Sequence, residues 1–257
     1  MSPFTNQSIF GEAADWNIWD VNARVGPSGP HGQVAMDAPE LLEEMSRYFI
    51  KTAVAAHGTG LEFDAGVGNE ALAKIVDPRL IPAWAAVPDP VFMERLAARK
   101  PKAVRLTPKN LNHSFPVTAW GAGDLFEYLQ ANQVLTLIAR EDLEWEPLIS
   151  LLENFPRLPL VLMEIGYRFD SFMTPLLKRF PTLYFDSATY LAYRQLENFV
   201  ERHGPDRVLY GSKLPLFTPA TSLGVLASAR ISDDARLAIA GGNLRRLLDA
   251  AQTGAAS

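Results

Sequence analysis

Eight short apolar runs separated by amphipathic segments constrain the fold of this chain more than any other feature. They lie at 16–26, 50–58, 80–88, 102–108, 134–140, 159–166, 182–189 and 207–215. The segments between them, such as APELLEEMSRYF and DPVFMERLAARK, show helical spacing of apolar residues, and most begin after Asp, Asn, Ser or Pro. This alternation predicts an α/β fold with a parallel sheet. Eight strand–helix units in roughly 250 residues favour a closed (β/α)₈ TIM barrel over an open doubly wound sheet.

One domain is expected to cover the whole chain, 1–257. The sequence contains no linker, low-complexity block or internal repeat, and 257 residues with 48% hydrophobic side chains are enough to bury a core. We expect a short flexible arm at 1–14 and a tail of small residues at 250–257.

The composition excludes several functional classes. With no cysteine in the chain, disulfides, thiolate metal sites and cysteine nucleophiles are ruled out, and a reducing compartment, the cytoplasm, is expected. No apolar segment is long enough to cross a bilayer, and the first residues lack a signal-peptide pattern, so we expect no membrane association. A net charge of −5 without a long basic cluster argues against a nucleic-acid partner. A small anionic molecule is the expected partner, and a homo-oligomer is possible.

Polar residues close most of the predicted strands. In a barrel of this kind the reacting groups lie at the carboxyl ends of the strands, so these positions are the candidates for a site. They are Asn22, Arg24, His57, Arg105, Arg140, Glu164, Asp186 and Lys213. The set is unusually rich in cations.

Four segments, in the right order, resemble the second amidohydrolase family. They are IWDVNARVG (18–26), GNEALAKIVDPRLIPAWAAVPDP (68–90), HGPDRVLYGSKLP (203–215) and AIAGGNLRRLL (238–248). That family includes metal-dependent barrel hydrolases, decarboxylases and dicarboxypyrone lactonases. The resemblance covers nearly the whole chain and implies the same barrel fold.

The chain departs from the family's metal-binding pattern at every position. The two histidines of the first-strand H-x-H pair, the histidines after strands five and six, and the aspartate of the G-S-D-x-P turn correspond here to Asn22, Arg24, Ile138 or Ala139, Glu164 and Lys213. Because a zinc-like ion needs about three His, Asp or Glu ligands, we expect no catalytic metal and no other cofactor.

Fixed cations could take the place of the metal. A divalent ion with one carboxylate carries the same net charge as Arg24, Lys213 and Glu164 together, so we hypothesise that these three side chains form a cluster at the barrel mouth. The candidate catalytic residues are Lys213, Glu164, Asp186 and His57. The candidate substrate-binding residues are Arg24, Asn22, Arg105 and Arg140.

Each role has a plainer alternative. Lys213 could be an inert partner of Glu164, Asp186 a helix cap, and His57 a loop residue in solvent or a structural hydrogen bond. Arg24 and Arg105 could serve only in internal ion pairs. Side chains alternate between the two faces of a strand, and the sequence does not show on which face Arg105 lies.

The sequence thus favours a metal-independent hydrolase or lactonase of the amidohydrolase type, acting on a small carboxylate at the barrel mouth. One alternative is a catalytically inactive barrel that binds a small anion or acts as a scaffold. Another is a metal site built from His57, Asp186 and Glu164.

Overall fold

A computed structural model describes residues 10–29, 32–168 and 170–253. In this part of the chain nine strands form one sheet in the order β2-β1-β3-β4-β5-β6-β7-β8-β9. The strands are β1 (Ile18–Ser28), β2 (Val34–Met36), β3 (Ile50–His57), β4 (Leu80–Ala85), β5 (Ala103–Leu106), β6 (Leu135–Ala139), β7 (Leu160–Met163), β8 (Leu183–Asp186) and β9 (Val208–Leu209).

Helices follow most of the strands. They are α1 (Ala38–Arg47), α2 (Gly58–Glu62), α3 (Ala65–Ala73), α4 (Pro90–Arg99), α5 (Ala119–Ala131), α6 (Trp145–Asn154), α7 (Asp170–Arg179), α8 (Gln195–His203), α9 (Pro219–Ser228), α10 (Asp233–Leu237) and α11 (Asn243–Thr253). Short 3₁₀ helices cover Gly11–Asp15 and Arg140–Asp142, and a π-helical turn covers Ala238–Gly242. Acidic caps set several helix starts: Asp37 forms a capping box with Glu40, and Asp89 caps α4 before Pro90.

The sheet confirms the predicted α/β class. Each of the eight predicted runs contains a strand that pairs in parallel with its neighbours, while the short β2, which the sequence pattern did not predict, pairs antiparallel with β1. The sheet is curled, and two backbone hydrogen bonds link β1 to the segment that follows β9. The Val21 amide donates to the Tyr210 carbonyl at 3.0 Å, and the Arg24 amide donates to the Leu214 carbonyl at 2.8 Å.

The two faces of the sheet bury different apolar clusters. Val104 and Leu106 pack in the larger cluster with the helices, whereas Ala103 belongs to a smaller cluster formed mainly by other strand residues such as Leu137 and Val161. Because side chains alternate along a strand, Arg105 shares the face of Ala103 and points into the curled sheet. This settles the orientation that the sequence left open.

Secondary structure extends into both terminal segments. Within the expected arm at 1–14, Gly11–Asp15 form a 3₁₀ helix and Ala13 is fully buried in the core, against which Phe10 and Trp16 also pack. Residues 1–9 lie outside the described residues. At the other end, α11 continues to Thr253 and therefore takes in the first residues of the expected tail. Among the described helices, none is long and apolar enough to cross a membrane.

Candidate active site

A buried carboxylate ties the first strand to the turn after the last strand. Asp20 accepts hydrogen bonds from the amides of Asn22 (2.9 Å) and Ser212 (3.0 Å) and from the Ser212 hydroxyl (2.5 Å). Burial nevertheless raises the pKa of Asp20, although all three hydrogen bonds act to lower it. This link fixes the first half of β1 against the turn that carries Lys213.

Asn22 lies at the centre of a buried polar network, called the floor here, that also contains Glu164, Asp186 and Arg105. Its side-chain amide donates to Asp186 Oδ2 at 2.8 Å and to Glu164 Oε1 at 3.2 Å, and its oxygen accepts from Arg105 Nη1 at 2.9 Å. All three bonds reach residues more than 80 positions away in the chain. Asn22 therefore links β1 to β5, to β8 and to the turn after β7.

Glu164 is the common partner of three cations. Its oxygens lie 2.5 Å from Lys213 Nζ, 3.2 Å from Arg105 Nη2 and 3.9 Å from Arg24 Nη2, and its side chain is only 5% exposed. Burial alone would raise the pKa of Glu164, but the charges of Arg105, Lys213 and Arg24 together lower it to about 2. The predicted cluster of Arg24, Glu164 and Lys213 forms, and Arg105 completes it. We call these four residues the Glu164 cluster.

The backbone is unusual at two members of this cluster. Glu164 and Lys213 have φ angles of 61° and 60°, in the left-handed region that non-glycine residues rarely adopt. Such conformations cost on the order of 1–3 kcal/mol each and persist only where surrounding contacts hold them. The Glu164 amide donates to Asp186 Oδ1 at 2.8 Å, which is one of these contacts.

Asp186 is fully buried beside Glu164 and has the opposite titration behaviour. Burial raises its pKa to about 7, and the charge of Glu164 acts in the same direction, against the hydrogen bonds from the Glu164 amide and Asn22. Near neutral pH, Glu164 is thus ionised while Asp186 is partly protonated.

A cavity of about 620 Å³ opens above this floor and is called the mouth cavity here. Its lining includes Arg24 and Lys213 from the Glu164 cluster, the carboxylates of Glu62, Glu141 and Asp142, and the apolar side chains of Phe63, Leu111 and Leu216. Lys109 also lines the cavity, so the lining combines three cations with three carboxylates from the loops.

Sequence reasoning missed all three of these carboxylates, and the pKa values of two of them, Glu62 and Asp142, are shifted. Glu62 accepts from Arg24 Nη1 at 3.3 Å and from the Gly29 amide at 2.8 Å, and burial raises its pKa. Burial and the neighbouring charge of Glu141 raise the pKa of Asp142 to about 6. Both residues lie a few positions beyond a strand end, in α2 and in the 3₁₀ helix after β6, so a search of strand-closing residues alone did not reach them.

The structure does not bring His57 or Arg140 to the cluster. In the sheet His57 lies opposite Val25, whose side chain packs in the cluster shared with the helices, and its ring lies against Gly26, where an added Cβ would come within 2.6 Å of two ring atoms. Burial lowers the pKa of His57. Arg140 donates to the Leu143 carbonyl at 2.7 Å and stacks 4.1 Å above the Trp145 ring. Neither residue is among those that line the mouth cavity.

The side chains at the family's metal positions do not fit a divalent ion. Both oxygens of Glu164 are paired with cations, and Arg24 and Lys213 would repel a metal placed beside them. Throughout the described residues, no group of three His, Cys, Asp or Glu side chains is arranged to hold a metal. This includes the alternative set of His57, Asp186 and Glu164, because His57 is directed away from the other two.

Comparison with known proteins agrees with this architecture. An amidohydrolase family model (Amidohydro_2) matches residues 12–250. No curated protein matches the sequence. Similar solved structures include an uncharacterised TIM-barrel protein from Bordetella bronchiseptica (18% identity, TM-score 0.72, covering 91% of this chain and 99% of that chain).

Two further similar structures carry functional descriptions of their own. One is 5-carboxyvanillate decarboxylase from Sphingomonas paucimobilis (15% identity, TM-score 0.69, covering 91% of this chain and 99% of that chain). The other is a candidate 2-pyrone-4,6-dicarboxylic acid hydrolase from Pseudomonas putida (14% identity, TM-score 0.69, 91% and 98%). At these identities the structures show the fold alone. The match over 12–250 is what establishes that this chain belongs to the amidohydrolase family.

Proposed function

We propose that this chain is a metal-independent enzyme of the amidohydrolase type, a hydrolase or lactonase that acts on a small carboxylate in the mouth cavity. The observation that carries the proposal is the position of Arg24 and Lys213, which open onto the cavity while Glu164 holds them from below. Fixed positive charges in a partly buried site can bind an acid and stabilise an oxyanion as it develops during hydrolysis.

The remaining members of the network serve as positioning residues in this proposal. Arg105 is only 1% exposed and Asn22 is fully buried, and neither lines the cavity. They hold Glu164, which in turn orients Lys213 and Arg24. Asp186 is likewise buried under the floor, so its proton affects the charge of the network without touching the substrate.

Asp142 is the carboxylate best suited to activate water. It lines the same cavity as Lys213 and Arg24, and with a pKa of about 6 it is mostly ionised at neutral pH. Asp142 would accept a proton from water as the water oxygen attacks the ester carbonyl, and the carbonyl oxygen would take up negative charge beside Lys213. Collapse of the tetrahedral intermediate would break the C–O bond of the ester, and the leaving alkoxide would take the proton back from Asp142.

A closed eightfold barrel is part of the same proposal. The parallel bridge between Ala23 and Leu214, together with the two backbone hydrogen bonds between these segments, supports closure of the sheet between β1 and the turn after β9. We also retain a cytoplasmic location, a small anionic ligand, no nucleic-acid partner and a possible homo-oligomer.

The test is a screen of carboxylate-bearing lactones and esters with chelator-treated protein. We expect turnover without added metal, and a loss of 10²-fold or more in kcat/KM for Lys213→Ala and Asp142→Asn. Lys51→Ala is the matched control, because Lys51 is exposed near the amino end of β3 and should leave activity unchanged. Turnover that needs an added metal, or that survives both cavity substitutions, would overturn the proposal.

A second candidate is an inactive barrel that only binds an anion. One observation favours it: each cation of the cavity lining already has a carboxylate partner, because Lys213 pairs with Glu164, Arg24 with Glu62 and Lys109 with Glu144. An inert ion-pair network would look the same. Thermal stabilisation by carboxylates with no conversion of any lactone or ester would support this candidate.

A further inference from the structure

We propose that the mouth cavity takes an amphiphilic monocarboxylate, with its single carboxylate at Arg24 and Lys213 and an apolar tail against Phe63, Leu111 and Leu216. We call these three residues the apolar rim. The inference rests on the proposed function and narrows its substrate class from small carboxylates in general to those with one charge and an apolar chain or ring.

The apolar rim presents hydrophobic surface to solvent in a fixed position. Leu111 is 96% exposed and Phe63 is 48% exposed. Leu111 lies between two anchored asparagines: the Asn110 side chain donates to the carbonyls of Leu61 (3.1 Å) and Glu62 (3.2 Å), and Asn112 donates to the carbonyl of Glu62 (2.7 Å). Its loop is thus bonded to the residues just before Phe63.

Leu216 approaches the same cavity from the turn after β9. It lies beside Gly29, where an added Cβ would meet Leu216 Cδ2 at 3.2 Å. Leu216 follows Lys213 by three residues, so the turn that supplies the cation also supplies an apolar wall. Single exposed apolar residues are common on protein surfaces, but three around one cavity with buried cations form a pocket with a polar end and an apolar end.

The carboxylates of the lining limit the ligand to one negative charge. Glu62, Glu141 and Asp142 share the cavity with Arg24, Lys213 and the exposed Lys109, which already pairs with Glu144. A second carboxylate on the ligand would lie among these like charges without an equivalent buried cation to receive it. The volume of about 620 Å³ is also ample for a tail, because ligand pockets commonly span about 300–1,000 Å³.

The test measures the affinity of butanoate, hexanoate, octanoate and octanedioate by titration calorimetry. We expect the dissociation constant to fall about two- to fourfold for each added methylene, since each is partly or fully buried. Octanedioate should bind on the order of tenfold more weakly than octanoate, because its second carboxylate meets the acidic lining.

Matched variants test which residues bind the apolar tail of the ligand. Phe63→Ser combined with Leu111→Ser should flatten the chain-length series, whereas Val76→Ser, at a 94% exposed valine outside the cavity, should preserve it. A flat series in the unaltered protein, or octanedioate binding as well as octanoate, would overturn this inference alone. If no carboxylate binds and no lactone or ester turns over, the proposed function itself is wrong.

Discussion

The floor and the apolar rim of the mouth cavity differ in burial and in polarity. On the floor, Glu164, Arg105 and Asn22 are almost fully buried, and their polar atoms mainly bond one another. On the rim, Leu111 and Phe63 are held in solvent. Buried charges persist only when paired, whereas exposed apolar side chains cost little unless they are gathered in one place. The floor is therefore a self-contained network, and the rim is a surface that a ligand would complete.

Substitutions in the floor should lower the free energy of unfolding more than substitutions in the rim. We expect the largest loss from Glu164→Gln. It would leave Lys213, Arg105 and Arg24 close together without their shared counter-charge. Breaking a buried ion pair in this way costs about 3–5 kcal/mol of unfolding free energy. Urea denaturation measures this loss directly.

The control for this change is Glu153→Gln. Glu153 forms an exposed ion pair with Arg179, so its loss should cost less than about 1 kcal/mol. Similar losses for the two variants would mean that the Glu164 cluster is no more demanding than a surface ion pair. The distinction between floor and rim would then be untenable.

A smaller change in the unfolding free energy is expected when the pH is varied, and Asp186 is its main source. Its folded-state pKa of about 7 lies above the ordinary value of 3.8, so its protonated form stabilises the fold fully below about pH 3.8, and this contribution is lost as pH rises through 7. Glu164 behaves in the opposite way: with a pKa lowered from 4.5 to about 2, its contribution is present above pH 4.5 and is lost as pH falls through 2. Above pH 4.5, therefore, Asp186 changes the unfolding free energy with pH and Glu164 does not.

We therefore expect the unfolding free energy to fall by on the order of 1–3 kcal/mol between pH 5 and pH 8, part of it through Asp142, whose pKa is raised in the same direction. Asp186→Asn cannot titrate, so its stability should change less over this range, although its amide cannot accept both hydrogen bonds that Asp186 accepts. Denaturation curves at the two pH values give the comparison. An unchanged pH dependence in Asp186→Asn would remove Asp186 from this explanation.

The floor was largely predictable from sequence and the rim was not. Arg24, Glu164 and Lys213 close strands of a repeating pattern, so their positions at one end of the sheet follow from the periodicity. Arg105 could be placed only by the structure, since a single sequence does not say which face of the sheet an alternating residue occupies. Glu62, Leu111 and Asp142 lie beyond the strand ends, where no periodicity fixes a direction. Arg140 also follows a strand, but the 3₁₀ helix there turns it onto Trp145.

The smallest effect is expected at the pair between Arg24 of the Glu164 cluster and Glu62, which directly precedes Phe63 of the apolar rim. Glu62 is 18% exposed, and burial raises its pKa, so its ionised form is only weakly supported by Arg24. Glu62→Gln can still accept from the Gly29 amide, and we expect a stability change within about 1 kcal/mol. The same change should strengthen octanoate binding by about two- to fivefold, because it removes a negative charge beside Arg24. Glu44→Gln, which breaks the exposed pair with Arg47, is the control and should alter neither quantity. Weaker octanoate binding in Glu62→Gln would mean that Glu62 holds Arg24 in its binding position rather than competing with the ligand for it.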